Sequence, residues 1–247
     1  MNLKINTINA DQGQKVAIIT GTGGGIGKET AELLLKEKFL VFGYSRTNRI
    51  THPNFTFTTI DLSDLGQVND IALPIINSNN VLLINNAATI GSIVPFDKKE
   101  TSDIINEYNL NIVSPTILSQ KFIATYRDQK KLLINIGSGA ANSPIPSWGI
   151  YCAAKSALDM LTKVIAEEDH KHLKIFSVHP GIVDTNMQKT IRGADEGLFP
   201  LLAKFTAYHS ENELETTTIA AQKIYYIIRN SNEFIKNILS IRDINLK

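Results

Sequence analysis

Tyr151 and Lys155, in the stretch YCAAK, stand four residues apart. On a helix that spacing puts both side chains on one face, a turn from each other. A free phenol has a pKa of about 10 and is a poor acid-base group at neutral pH, but a neighbouring ammonium favours phenolate and brings proton transfer within reach. Thirteen residues earlier, in INIGSGAA, Ser138 follows an apolar run and would turn a hydroxyl toward the same crevice. Alone, Tyr-x-x-x-Lys is as often a surface or packing pair, and a Ser beside Gly is usually a turn residue. It is their order in one chain, behind a glycine-rich turn, that points to a site for proton transfer.

That turn is TGTGGGIGKE, Thr20 to Glu29, with five glycines in seven residues. Glycine loses more conformational entropy on folding than other residues, so such a run needs a geometric reason, and a bound phosphate supplies one. Strict G-x-G-x-x-G fails because Ile26 stands where a third Gly would be. Gly21, Gly25 and Gly27 instead make Gly-x-x-x-Gly-x-Gly, enclosing Thr22 and Ile26. Small residues there let backbone N–H groups approach a pyrophosphate and open a helix whose N-terminal dipole favours negative charge. At the end of the next apolar run, YSRT offers Ser45 and Arg46 where a dinucleotide fold that prefers NAD carries an acid for the ribose. A hydroxyl and a guanidinium suit a 2′-phosphate, which implies NADP(H); the bland reading of Arg46 is a solvated surface side chain.

The elements that must position these groups read clearly. Apolar, often β-branched runs recur at 15–20, 40–45, 55–60, 81–85, 131–137, 174–179 and 237–241, with helical periodicity between most of them. Strands buried on both faces and alternating with helices make an α/β, single-domain, Rossmann-type doubly wound parallel sheet with helices on both faces. The domain is expected over 15–247, behind a polar and flexible leader at 1–14. Segment 186–215, irregular and rich in apolar residues, Gly and Pro, is a candidate substrate lid.

Composition narrows the partners. The 247 residues carry 25 Lys and Arg against 24 Asp and Glu, a net charge of +1, which argues against nucleic acid or an anionic membrane surface and for a small metabolite. The one cysteine, Cys152, excludes an internal disulfide framework and a Cys-based metal cluster, and it fits a reducing compartment, by default the cytoplasm. No metal site is expected. As a helical neighbour of Tyr151, Cys152 is assigned packing. Trp148 and Phe199 could line an aromatic pocket or pack in the core, and Asp184 could meet a polar substrate head or cap a helix.

Together these residues resemble the short-chain dehydrogenase/reductase family from about Lys15 to near the C-terminus. TGTGGGIG is similar to the family's glycine motif, Asp61 and Leu62 to its adenine-pocket pair, and NNAA, with Asn86 and Ala87, to its sheet-stabilising motif, Ala88 replacing the usual Gly. Asn111 stands where the family has its active-site Asn, and PGIVDT, with Pro180, Gly181, Val183 and Thr185, resembles the turn that holds the nicotinamide. Within the family, YSRT and the segments around Tyr151 and Pro180 look most like bacterial benzil reductases and sepiapterin reductases. The resemblance implies hydride transfer from NADPH to a ketone or diketone. Tyr151 would donate the proton, Ser138 would bind the carbonyl oxygen, and Lys155 would lower the Tyr151 pKa and hold the ribose. Asn111 would position a water. It also implies a homodimer or homotetramer, paired through helices around 102–127 and 151–171. Other readings are a different small alcohol or ketone, or a non-catalytic NADPH-sensing protein.

Overall fold

A computed structural model describes residues 7–8 and 13–246. Seven parallel strands form one sheet: β2 (Val16–Thr20), β3 (Leu40–Ser45), β4 (Phe55–Thr59), β6 (Asn80–Asn85), β7 (Lys130–Ile136), β8 (Leu173–His179) and β9 (Ile238–Ser240), in the order β4-β3-β2-β6-β7-β8-β9. They coincide with the seven apolar runs. A separate parallel pair joins β1 (Thr7–Ile8) to β5 (Ile75–Ile76). The rest of the expected leader up to residue 12 lies outside the described residues.

Every residue of β2 is buried, as a central parallel strand requires. Successive side chains point to opposite faces, so Ala17 and Ile19 join one apolar cluster while Val16 and Ile18 join another. The first cluster holds α1 (Gly25–Lys36), which buries Ala31, Leu34 and Leu35, against α8 (Thr217–Arg229). The second is covered by α2 (Leu65–Asn69), α4 (Ser114–Thr125) and α5 (Gly149–Glu167) through Val68, Leu118, Phe122 and Ile165. Between α3 (Thr101–Tyr108) and α4 the chain makes a π-helical turn, Asn109–Val113, an irregularity often found at functional sites.

Because β2 lies between β3 and β6, the sheet reverses direction of winding there, and a crevice opens beyond the carboxyl ends of these strands. The segment read as a lid contains α6 (Asn186–Arg192) and α7 (Leu202–Ser210). Its ends are pinned together: Asp184 N donates to Glu215 O (2.9 Å) and Glu215 N to Ile182 O (2.9 Å). Inside, Trp148 stacks on Phe199 with ring centroids 5.7 Å apart and leans on Phe205 at 5.0 Å. Phe199 is wholly buried and Trp148 nearly so, and both aromatic side chains pack this segment onto the body of the domain.

Candidate active site

The crevice is a cavity of about 660 Å³, walled at one end by the glycine turn and β3 and at the other by α5 and the start of α6. Gly21 has a φ of +75° and Gly25 of +57°, in the left-handed region that favours glycine. A Cβ on Gly21 would stand 2.7 Å from Asn86 Nδ2, and one on Gly27 would stand 2.3 Å from the same atom and 2.4 Å from Gly21 O. Asn86 donates through Nδ2 to Thr20 O (2.9 Å), while Thr20 Oγ1 accepts from the N–H groups of Asn86 (2.9 Å) and Ala87 (3.0 Å). The tightness of the turn is thus set by contact between β2 and the end of β6. No side chain caps the first turn of α1, and a Cβ on Gly24 would meet nothing within 4 Å. The positive end of that helix therefore opens onto the crevice, an arrangement fitted to a pyrophosphate.

At the other end Tyr151 and Lys155 share the buried face of α5, with Lys155 Nζ 5.7 Å from the centre of the Tyr151 ring. Lys155 Nζ donates to Ile136 O at 2.7 Å. Burial brings its pKa down to about 8, against the pull of the Asp159 carboxylate. Burial pushes the Tyr151 phenol up to about 12, with a hydrogen bond to Ser138 acting the other way. Burial outweighs that bond, and at neutral pH Tyr151 is held as the acid. Ser138 lies two residues past β7, and its hydroxyl oxygen accepts from Ala140 N (3.1 Å). Asn111, buried in the π-helical turn, accepts from Thr89 N and donates to Thr89 O, both at 2.9 Å. Its amide is thus tied to the main chain of Thr89 at both ends, with one N–H and one lone pair to spare.

Gly21, Gly25, Ile26, Ser45, Arg46, Asp61, Leu62, Asn86, Ala87, Tyr151, Lys155, Pro180 and Thr185 all line the cavity. Other expected residues do not line it. Thr22 is buried with its hydroxyl against Gly43, Gly27 packs α1 onto the turn, Val183 is in the core, and Gly181 (φ +71°) faces Arg242. Asp61 accepts from Ser63 N (2.9 Å) and Ser63 Oγ (2.7 Å), and these bonds, with Arg46 nearby, hold its carboxyl below the usual range. Asp184 is exposed, and Thr185, not Asp184, occupies the N-cap of α6. Cys152 packs at the edge of the cluster that holds Trp148, Phe199 and Phe205.

One group on the wall had only a faint sequence signal. Glu107, four residues before Asn111, is 2% exposed and pairs with Lys99 Nζ at 2.5 Å. It also accepts from Ser92 N (3.1 Å), beneath Gly91, whose φ is +67°. Burial pushes its carboxyl up, Lys99 opposing. The pair staples the loop after β6 to α3.

Residues 15–196 match the short chain dehydrogenase family. The chain belongs to the short-chain dehydrogenase/reductase family. It is 33% identical over 229 residues to a benzil reductase ((S)-benzoin forming) of Bacillus cereus, covering 85% of this chain and 92% of that protein. It is also 33% identical over 156 residues to the sepiapterin reductase of Bos taurus, a stretch that covers 61% of this chain and 57% of the bovine protein. A short-chain dehydrogenase/reductase structure from Saccharomyces cerevisiae superposes with a TM-score of 0.80 at 22% identity, over 94% of this chain and 97% of the yeast one, a likeness of fold. As a short-chain dehydrogenase/reductase the protein is an oxidoreductase acting on carbonyl or alcohol groups, of a family that uses nicotinamide cofactors, NAD or NADP. Among the described residues no helix is long and apolar enough to cross a membrane, and no group of three or more His, Cys, Asp and Glu side chains could hold a metal ion.

Proposed function

We propose that the protein is an NADPH-dependent reductase of small ketones or diketones of the benzil or sepiapterin type, with Tyr151 as the proton donor. The observation that carries this reading is the burial of Tyr151 and Lys155 side by side, next to Ser138, at the end of a crevice that begins at the glycine turn. NADPH, when bound, supplies a hydride to the carbonyl carbon; the chain supplies placement, charge and the proton.

The uncapped start of α1 and the N–H groups of the glycine turn hold the pyrophosphate. Ser45 and Arg46 take the 2′-phosphate, and Asp61, tied down by Ser63, stays with the adenine side. Asn86 and Ala87 form the floor, Pro180 and Thr185 the far wall, and Lys155 reaches the ribose. Ser138 donates to the carbonyl oxygen and stabilises charge developing there, as an oxyanion hole does. Tyr151, whose phenol at about 12 keeps its proton at neutral pH, releases it only to a stronger base, the nascent alkoxide. The Lys155 ammonium then balances the phenolate left behind. Asn111 fixes Thr89 on the wall, and the second N–H and second lone pair of its amide are left to position a water in a proton relay.

The test is NADPH oxidation measured against a panel of diketones, aromatic ketones and pterins. Turnover of at least one class, with NADPH preferred to NADH, is expected. NADPH binding without turnover of any carbonyl would contradict the reading.

A further inference from the structure

The mechanism above leaves one buried carboxylate without a task. Asp159 is 6% exposed and lies one helical turn beyond Lys155, so Tyr151, Lys155 and Asp159 stand in file along the face of α5 turned to the sheet. It makes no direct ion pair with Lys155, whose Nζ is bonded to Ile136 O. Its oxygens face β8 instead: Oδ1 accepts from Ser177 Oγ at 2.6 Å, and His179 Nε2 lies 2.9 Å from Oδ2 and 3.1 Å from Oδ1. The neighbouring strand makes room for this cluster. Just past β7 the chain has Gly137, where a Cβ would stand 2.4 Å from Ser177 Oγ and 2.6 Å from His179 Cδ2.

Burying a carboxylate is expensive unless it is bonded and useful to a nearby cation, and an amide could satisfy Ser177 and His179 without that expense. What an amide cannot do is act on an ammonium across a turn of helix. Opposite charges one turn apart on the buried face of a helix attract more than they would in water. We propose that Asp159, held in place by Ser177 and His179, is the counter-charge that keeps Lys155 in its ammonium form. It is a positioning residue, acting through Lys155 and touching neither carbonyl nor cofactor. The inference deepens the proposed mechanism and rests on it only for the importance of a charged Lys155.

The groups facing that ammonium support the assignment. On α5 they are Tyr151, neutral at working pH, and Asp159; β7 presents the Ile136 carbonyl; β8 presents His179, behind Asp159. From α3 the buried acid is Glu107, already paired with Lys99. Asp159 raises the Lys155 pKa while burial lowers it.

The experiment is a titration of Lys155 in the cofactor-free protein, followed by NMR of lysine labelled with 13C at the ε-carbon and assigned with Lys155→Met. Asp159→Asn should lower the midpoint by about one pH unit or more, the size expected for removing a close opposite charge. Asp159→Glu, which keeps the charge, and His179→Gln, which leaves the carboxylate in place, should not lower it. An unchanged midpoint in Asp159→Asn overturns the proposal, as does an equal fall in His179→Gln, because the effect would then follow disruption and not charge. Should Asp159→Asn fail to fold, a fall in Asp159→Glu overturns it as well, and a midpoint held at the native value supports it. The readout needs neither NADPH nor carbonyl, so its failure is distinct from failure of the reductase reading, which the turnover panel decides. In an active enzyme, the alkaline limb of the kcat profile should move down with the midpoint.

Discussion

Gly27→Ala and Gly24→Ala, three residues apart in one turn, should behave in opposite ways. An alanine methyl at Gly27 would lie 2.3 Å from Asn86 Nδ2 and 2.4 Å from Gly21 O, far inside contact distance. Gly21 O belongs to the backbone and cannot give way alone, so α1 must back off or Asn86 must leave Thr20 O. Overpacking of this kind costs about 1–3 kcal/mol, and leaving the amide unpaired about 1–3 kcal/mol more. Together that is roughly 2–6 kcal/mol, which at about 2–4 °C per kcal/mol for a chain of this size lowers Tm by about 4–24 °C. A methyl at Gly24 meets nothing within 4 Å, and the backbone there is extended (φ 176°), so the fold should lose under about 1 kcal/mol. The methyl would, however, project into the crevice where the pyrophosphate is proposed to sit, and NADPH affinity should fall at least tenfold. Thermal unfolding by circular dichroism and fluorescence titration of NADPH read the two effects. If Gly27→Ala melts within 2 °C of the native protein, or if Gly24→Ala loses stability but not affinity, the reasoning about the turn is wrong.

Arg46→Asp should reverse or abolish the preference for NADPH, since a charge-assisted phosphate contact is worth about 1.5–3 kcal/mol, or ten- to over a hundredfold in affinity; equal affinity of the native protein for NADPH and NADH would count against it. Glu107→Ala strands a buried Lys99 and should destabilise by about 3–5 kcal/mol, read as a fall in the urea midpoint, whereas a loss below 1 kcal/mol would mean the pair is not closed in solution. Exposed Ile105 on α3 and Met160 and Val164 on α5 present the apolar surface expected of a subunit contact, so Met160→Lys should shift light-scattering mass toward a monomer; an unmodified protein that is monomeric at micromolar concentration would contradict this.

Most of the sheet was legible because central parallel strands such as β2 and β6 are buried on both faces and so must be continuous apolar runs. The β1–β5 pair was not: two residues on each side carry no periodicity, and Thr7–Ile8 sits in a polar segment. Within segment 186–215, α6 and α7 are short and parted by a stretch holding Gly193 and Pro200, so neither shows a clear stripe. Spacing placed Tyr151 and Lys155 together on α5, since i,i+4 geometry is local. Their protonation was not legible, because burial is a property of what α5 packs against, and it drives the phenol up and the ammonium down. Trp148 and Phe199 could be pocket or core until Phe205, brought in from α7, showed what they stack on. The Asp159–His179 contact joins α5 to the end of β8, which only the tertiary fold makes neighbours.

The central claim, that Tyr151 delivers the proton, is tested most directly by Tyr151→Phe. The substitution removes one oxygen and keeps the ring packed edge-on against Trp148, so the fold should survive and NADPH should bind nearly as before. Positioned general acid catalysis contributes about 10²–10⁴-fold. With the best carbonyl from the panel, turnover should therefore fall at least about a hundredfold at unchanged cofactor affinity; a variant that keeps more than about a tenth of the native turnover would show that the proton comes from elsewhere.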